Sequence, residues 1–209
     1  MRRKNYVRVL FNIILMCVLL AHNVYASEIS SNKTQDQEYA LYVNRALNTV
    51  TVYKVDENGE EVPYKSMICS CGRPGHNTPV GTFKTTDYYD WRLMVDGSWA
   101  QYAVRFNGMI LFHSVPYHSK NPADLEWDQY NLLGQNVSLG CVRLAVKDVK
   151  WIYDNCKKGT KVVVYADDET SGPLGKPISR YIDPKSDNKG WDPTDDNTSN
   201  PWLKNKKKK

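Results

Sequence analysis

Short runs of alternating apolar and polar residues cover most of the chain between residues 38 and 166, and this period of two indicates β-strands. Asn107-Gly108, between two such runs, is a strong signal for a tight hairpin. The predicted strands span residues 39–45, 49–55, 64–71, 82–88, 99–106, 109–112 and 161–166. The chain is therefore predicted to be mainly β, with a sheet that closes on itself as a sandwich or barrel.

Residues 146–156 have the apolar period of 3.6 that is typical of an amphipathic helix, and Gly159 follows them as a stop signal. By contrast, residues 113–135 are polar, contain Pro116 and Pro122, and show neither period. A loop of that length inside a compact domain is uncommon and often functional. We therefore expect one amphipathic helix and one long functional loop beside the sheet.

The first 26 residues are typical of a secretory signal peptide. Basic residues precede an apolar run over residues 9–21, and Ala26 ends a motif with small residues at the cleavage positions. The apolar run is shorter than the roughly 20 residues that a spanning helix needs. We predict cleavage after Ala26 and export, with a polar linker at residues 27–37; retention as a membrane anchor stays the alternative.

The folded domain is predicted to span residues 38–168, and residues 169–209, rich in Asp, Pro, Asn, Gly and Lys, are predicted to be an irregular or disordered tail. Basic residues of the signal and the lysine run at the C-terminus supply nine positive charges against a formal total of +5, so the body between them carries −4. This charge pattern excludes a basic nucleic-acid-binding domain. The lysine run is suited to contact with an anionic wall polymer.

Four cysteines lie beyond the signal, and only Cys141 lies among glycine and polar residues in a predicted turn. Cys69 and Cys71 are two apart on a predicted strand, so they share a face and are poorly placed to bridge each other. Their spacing is also wrong for a structural zinc site. Cys156 falls on the apolar face of the helix, where it is expected to be part of the core.

Cys141 is the candidate nucleophile. Gly140 permits a tight turn beside the thiol and leaves room for a substrate carbonyl, and neighbouring backbone N–H groups could stabilise an oxyanion. Arg143 adds positive charge that favours a thiolate or holds a carboxylate. His113, at the end of a strand, is the preferred base over His118 in a loop, because a strand end fixes geometry better. A buried structural cysteine and a structural histidine remain the alternatives.

Three motifs in order resemble the L,D-transpeptidase catalytic domain, the YkuD-like family of bacterial cell-wall enzymes. The resemblance covers roughly residues 38–166. The motifs are Thr78-Pro79-Val80-Gly81-Thr82-Phe83, Leu111-Phe112-His113-Ser114-Val115-Pro116-Tyr117 and Ser138-Leu139-Gly140-Cys141-Val142-Arg143-Leu144.

The resemblance implies that Cys141 attacks a donor tetrapeptide stem of peptidoglycan, with His113 as its base, and releases the terminal D-Ala. Ser114, Ser138 and Gly140 would orient the base or line the oxyanion site. The resulting thioester would pass to the amine of an acceptor stem, forming a crosslink. The resemblance further implies no metal or cofactor, a site of action outside the cytoplasmic membrane, and acylation of the same cysteine by carbapenems. Peptidoglycan stem peptides are the expected partners, nucleic acid is not, and we expect a monomer.

Two functional alternatives stay open. Hydrolysis of the same thioester would make the chain an L,D-carboxypeptidase. Loss of the chemistry would leave a wall-binding module, an option suggested by Leu139, which stands where the family most often has histidine.

The sequence also predicts how the site is covered and how it titrates. Cys141 follows His113 by 28 positions, more than the common family spacing, and the excess, residues 117–135, is predicted to fold as a lid over the cleft. Arg143 and three aromatic residues of the predicted lid are the candidate substrate contacts; the aromatic residues are Tyr117, Trp127 and Tyr130. A reactive thiol of low pKa is expected at Cys141, and unreactive thiols at Cys69 and Cys156.

Overall fold

The computed structural model describes residues 38–204, which form nine strands and three short helices. The predicted signal peptide, the linker and the last four lysines lie outside the described residues. The strands are β1 (Tyr39–Asn44), β2 (Thr49–Val55), β3 (Glu61–Ser70), β4 (Gly81–Lys84), β5 (Tyr88–Leu93), β6 (Trp99–Asn107), β7 (Ile110–Ser114), β8 (Val142–Leu144) and β9 (Lys161–Tyr165). The helices are α1 (Trp127–Tyr130), α2 (Val146–Asn155) and α3 (Pro201–Lys204).

All nine strands belong to one sheet, in the order β4-β9-β1-β2-β3-β8-β7-β6-β5. Its pairings are antiparallel except β1 with β9 and β7 with β8, which are parallel. The sheet curls, because Phe83 of β4 and Phe106 of β6, from opposite ends of the strand order, have ring centroids only 5.9 Å apart. The prediction of a mainly β domain with a self-closing sheet and one amphipathic helix is confirmed.

The predicted strand at residues 82–88 is wrong in its continuity, because the chain changes partners within it. Gly81–Lys84 pairs with β9, whereas Tyr88–Leu93 pairs with β6. Between them Thr85 N–H donates to Thr160 O at 2.9 Å and Thr86 N–H donates to Arg105 O at 2.8 Å. The chain thus passes from β4 at one edge of the sheet to β5 at the other edge, a change that the alternation of the sequence does not reveal.

The main core lies between the curled sheet and α2. Val149 and Ile152 on the apolar face of α2 are fully buried, and Cys156 just beyond it is 2% exposed. Helix α2 begins against the C-terminal segment, since Asp192 Oδ2 accepts the backbone N–H of Val146 at 2.8 Å. Such a cap satisfies an N–H group that the helix itself leaves without a partner.

A second core forms where the loop after β7 meets the C-terminal segment. Its buried members include Tyr117, Tyr130, Ile182 and Trp202. The side chain of Asn131 ties the two segments together, accepting Ile182 N–H at 2.8 Å and donating to Ile182 O at 2.9 Å. From residue 169 to residue 204 the chain contains only the short helix α3, and the side chains of Ile182 and Trp202 pack into this core.

Within residues 38–204 no helix combines the length and the apolar character that crossing a membrane requires.

Candidate active site

The parallel pair β7–β8 brings the two sequence-predicted catalytic residues together. His113 is the register partner of Arg143, and Phe112 that of Val142. Side chains two apart on a strand share a face, so Leu111 and His113 face the same side as Cys141 and Arg143. These four residues line one cleft that opens to solvent. His113 on β7 and Cys141, directly before β8, therefore line the same cleft.

The backbone at the start of β7 holds the Cys141 thiol. Its Sγ donates to Met109 O at 3.7 Å, and the N–H of Leu111 can donate to the sulfur. Burial raises the pKa of Cys141 above its ordinary value, and the Leu111 N–H and the Arg143 charge only partly oppose that effect. The expectation of a low-pKa thiol is therefore wrong: the resting sulfur is a thiol held among apolar neighbours.

The imidazole of His113 is neutral at rest. Nδ1 lies 2.6 Å from Ser114 O, which can only accept, so Nδ1 carries the proton and Nε2 is left as the basic nitrogen. Burial first, and the nearby Arg143 guanidinium second, lower the pKa of His113 to about 3. The site thus holds a neutral thiol and a neutral imidazole, not a thiolate–imidazolium pair.

The turn before Cys141 is fixed by Ser138. Its Oγ accepts Gly140 N–H at 3.0 Å and donates to Cys141 O at 2.6 Å. Gly140 has φ +116°, and a Cβ there would lie 2.9 Å from Ile110 Cδ1. A residue with a side chain would be strained at this φ, which glycine adopts freely. Ser138 and Gly140 therefore shape the turn that carries Cys141, and the Gly140 N–H is already used within it.

Ser114 acts through its main chain. Its Oγ accepts Gln101 N–H at 2.9 Å and donates to Val115 O at 2.8 Å, so the side chain is occupied away from the cleft. Its carbonyl, which any residue could supply, orients the ring of His113.

Thr78 is a supporting residue to which sequence reasoning gave no role. Its Oγ1 donates to Gly140 O at 2.9 Å and accepts Gly72 N–H at 3.0 Å, with the side chain fully buried. Arg45 Nη1 in turn donates to Thr78 O at 2.7 Å. The Thr-Pro motif carries the only sequence signal for this residue, and its contact with the turn that carries Cys141 spans 62 positions.

Arg143 is the one predicted substrate contact that faces the cleft. Its side chain is mostly buried, Nη1 donates to Gln129 Oε1 at 3.0 Å, and Nε has no partner among the described residues. A buried cation with an unused N–H group at the base of a cleft is suited to a carboxylate.

The three aromatic candidates do not line the cleft, and the predicted lid does not cover it. Tyr117 and Tyr130 are 0% and 1% exposed in the second core, so neither is accessible to a substrate without unfolding. Trp127 packs against the same core, with Lys189 Nζ 5.6 Å from its ring centroid. The loop folds away from the nucleophile because its aromatic side chains gain more by completing a core than by facing water.

The cleft is bordered instead by the β5–β6 hairpin. Residues 92–96 and Ser98 line it, opposite the strand ends that carry Cys141 and His113. Four exposed apolar side chains surround its mouth, with Val95 the most exposed at 77%. They are Leu93, Val95, Met109 and Leu139. Leu139 thus adds to an apolar rim at the position where the family most often has histidine.

The remaining candidates lie outside the cleft. The sulfurs of Cys69 and Cys71 are 3.8 Å apart, fully buried and not disulfide-bonded. Burial raises the pKa of Cys156 to about 12, in agreement with a core role. The side chain of His118 is 64% exposed and lies 3.9 Å from Glu126 Oε1, away from the nucleophile.

The sequence and fold are similar to those of known proteins. The model of the L,D-transpeptidase catalytic domain (YkuD) matches residues 38–164. YciB of Bacillus subtilis (strain 168), an L,D-transpeptidase by its name, is 36% identical over 91 residues, which cover 42% of this chain and 46% of that protein. The chain thus matches about half the length of this curated relative.

Solved structures include an L,D-transpeptidase from Mycobacterium smegmatis, with 25% identity, a TM-score of 0.49, and coverage of 62% of this chain and 59% of that one. Another is the L,D-transpeptidase LdtMt1 in complex with imipenem, with 26% identity, a TM-score of 0.48, and coverage of 61% and 59%. Because the family model covers more than half of the 209 residues, this chain belongs to the L,D-transpeptidase catalytic domain (YkuD) family.

Proposed function

We propose that this protein is a peptidoglycan L,D-transpeptidase in which Cys141 is the nucleophile and His113 the general base. The observation that carries the proposal is that the half-buried thiol of Cys141, directly before β8, and the imidazole of His113 on β7, with Nε2 as its basic nitrogen, line one open cleft. Membership of the family supplies the substrate class. Peptidoglycan stem peptides are therefore the proposed partners, and the cell wall outside the cytoplasmic membrane is the proposed location.

In the first half-reaction the sulfur of Cys141 attacks the carbonyl at the L-centre of the third stem residue. Since the pKa of the thiol is raised and that of the imidazole lowered, the proton passes to His113 Nε2 as the C–S bond forms, and not before. Ser114 O holds the ring by accepting Nδ1–H throughout. Arg143, the register partner of His113 on β8, is placed to bind a substrate carboxylate.

The tetrahedral intermediate then collapses. The backbone N–H of Cys141 lies beside the attacking sulfur and is the candidate donor to the oxyanion, because the Gly140 N–H already donates to Ser138 Oγ. The imidazolium returns its proton to the nitrogen of the departing D-Ala, and a thioester remains. An imidazolium with such a low pKa is a strong acid, which suits protonation of an amine leaving group.

In the second half-reaction an acceptor amine attacks the thioester, His113 takes the proton lost by that nitrogen, and the Cys141 thiol re-forms. The acceptor enters through the open mouth between the β5–β6 hairpin and Leu139. A cleft open to solvent also admits water, which would release a tripeptide stem.

Incubation of the purified protein with tetrapeptide stems tests the proposal. We expect release of D-Ala, crosslinked dimers in the muropeptide profile, and a single covalent adduct with imipenem by intact-mass spectrometry. Cys141→Ala should abolish all three. His113→Gln should lower adduct formation by about 10²-fold or more, whereas His118→Gln, a matched change at an exposed histidine, should leave it unchanged.

The outcomes separate the alternatives. Formation of tripeptide without dimers would indicate an L,D-carboxypeptidase and not a transpeptidase. Absence of both D-Ala release and the adduct from the wild-type protein would indicate a wall-binding module without catalysis.

A further inference from the structure

The tip of the β5–β6 hairpin carries a carboxylate to the mouth of the cleft. The tip is a closed turn, with Met94 N–H donating to Ser98 O at 2.8 Å and Gly97 N–H donating to Met94 O at 3.1 Å. Within it Asp96 Oδ1 accepts Ser98 N–H at 3.1 Å and Ser98 Oγ–H at 2.7 Å. Asp96 lines the cleft, and these bonds fix its orientation there.

The second oxygen of this carboxylate is available. Among residues 38–204 the side-chain and backbone donors of Ser98 both bind Oδ1 and not Oδ2 of Asp96. Partial burial opposes its ionisation, but the Ser98 hydrogen bonds and the Arg143 charge prevail and hold the pKa of Asp96 below its ordinary value. Asp96 is thus a fixed negative charge, facing the cleft and close enough to Arg143 to influence it without contact.

The charges that line the cleft form a pattern. Arg92 and Arg143 are the cations, Asp96 is the anion, and His113 is neutral. Arg92 is itself held in place, with its guanidinium carbon 4.5 Å from the ring centroid of Tyr89. A ligand complementary to this arrangement carries an ammonium group together with carboxylate groups.

We propose that Asp96 binds a side-chain ammonium of the donor stem, and so selects donors whose third residue has a free amine. The inference rests on the proposed function. The donor is favoured over the acceptor as the source of this amine, because an acceptor must attack as the free base and an ionised carboxylate would hold it protonated and unreactive. Asp96 is then a specificity-determining residue opposite the nucleophile.

The test compares two synthetic tetrapeptide stems that differ only in the side-chain amine of the third residue, free in one and N-acetylated in the other. D-Ala release is measured with the protein in excess over the stem, so that the single acylation turnover is read before any stem amine resolves the thioester. We expect the wild-type protein to prefer the free amine in kcat/KM by about tenfold, typical of one charge-assisted contact that is partly exposed. Asp96→Asn should reduce the preference to about twofold or less, and Asp96→Glu should retain part of it.

A matched control is Asp90→Asn, which removes an exposed carboxylate from β5 outside the cleft and should keep the full preference. Acylation by faropenem, a β-lactam without a cationic group, should proceed equally in the wild-type protein and in Asp90→Asn. An unchanged preference in Asp96→Asn would overturn the inference. So would a change seen only when the amine of an added acceptor is varied. Absence of faropenem acylation in the wild-type protein would instead count against the proposed function.

Discussion

Thr78 offers a sharp test of how the fold positions the nucleophile. Thr78→Val keeps the shape of the side chain but removes the hydroxyl that joins Gly72 N–H to Gly140 O. Both backbone groups would then be buried without a partner, at a cost of about 1–3 kcal/mol each. We expect the free energy of unfolding to fall by about 3 kcal/mol, which for a domain of this size lowers Tm by roughly 6–12 °C.

The same change should slow the chemistry. Without the Thr78 hydroxyl the carbonyl of Gly140 loses its hydrogen bond and is free to move, and the turn that carries Cys141 moves with it. A displacement of about 1 Å at a reacting group can cost up to 10²-fold in rate, so we expect the acylation rate with imipenem to fall by at least about tenfold. Urea unfolding gives the free energy of unfolding. Intact-mass spectrometry of samples quenched at successive times gives the acylation rate.

Thr78→Ser is the matched control, because it keeps both hydrogen bonds and loses only one buried methyl group, worth about 1 kcal/mol. It should acylate at nearly the wild-type rate. The reasoning is refuted if Thr78→Val unfolds within about 1 kcal/mol of the wild type, or if Val and Ser at this position acylate equally fast.

Three further outcomes are expected. Because burial raises the pKa of Cys141, its alkylation by iodoacetamide should keep accelerating beyond about pH 8.5; a plateau below neutral pH would contradict this. Ile182→Ala, at a fully buried site, should lower the free energy of unfolding by about 2–4 kcal/mol, whereas Ile178→Ala, at a side chain 96% exposed, should have almost no effect; equal losses would refute packing of the C-terminal segment. Burial raises the pKa of Asp192 to about 6, so its stabilising contribution is present at low pH and is lost as pH rises from about 4 through that value. The free energy of unfolding of Asp192→Asn, relative to that of the wild type, should therefore rise between pH 4 and 7. A difference between the two proteins that does not change with pH would contradict the assignment.

The chemistry-bearing motifs were predictable because they are local. Gly140 and Cys141 are adjacent in the sequence, and His113 ends an apolar run that became β7 with only small changes of boundary. Other features of the site were hidden. Asp96 and Thr78 lie far from Cys141 along the chain, and the turn residues around Asp96 look like any hairpin tip.

The sequence by itself predicted most of the strands, the main helix and the proposed nucleophile with its proposed base, since periodicity and short motifs record the preferences of neighbouring residues. Tertiary structure alone decided which aromatic side chains are buried, so that Tyr117 and Tyr130 became core residues and the β5–β6 hairpin became the border of the cleft. It also decided the charge states of Cys141 and His113. The burial of a group and the electrostatic field of its neighbours depend on segments that are distant in sequence, so no local sequence pattern predicts them.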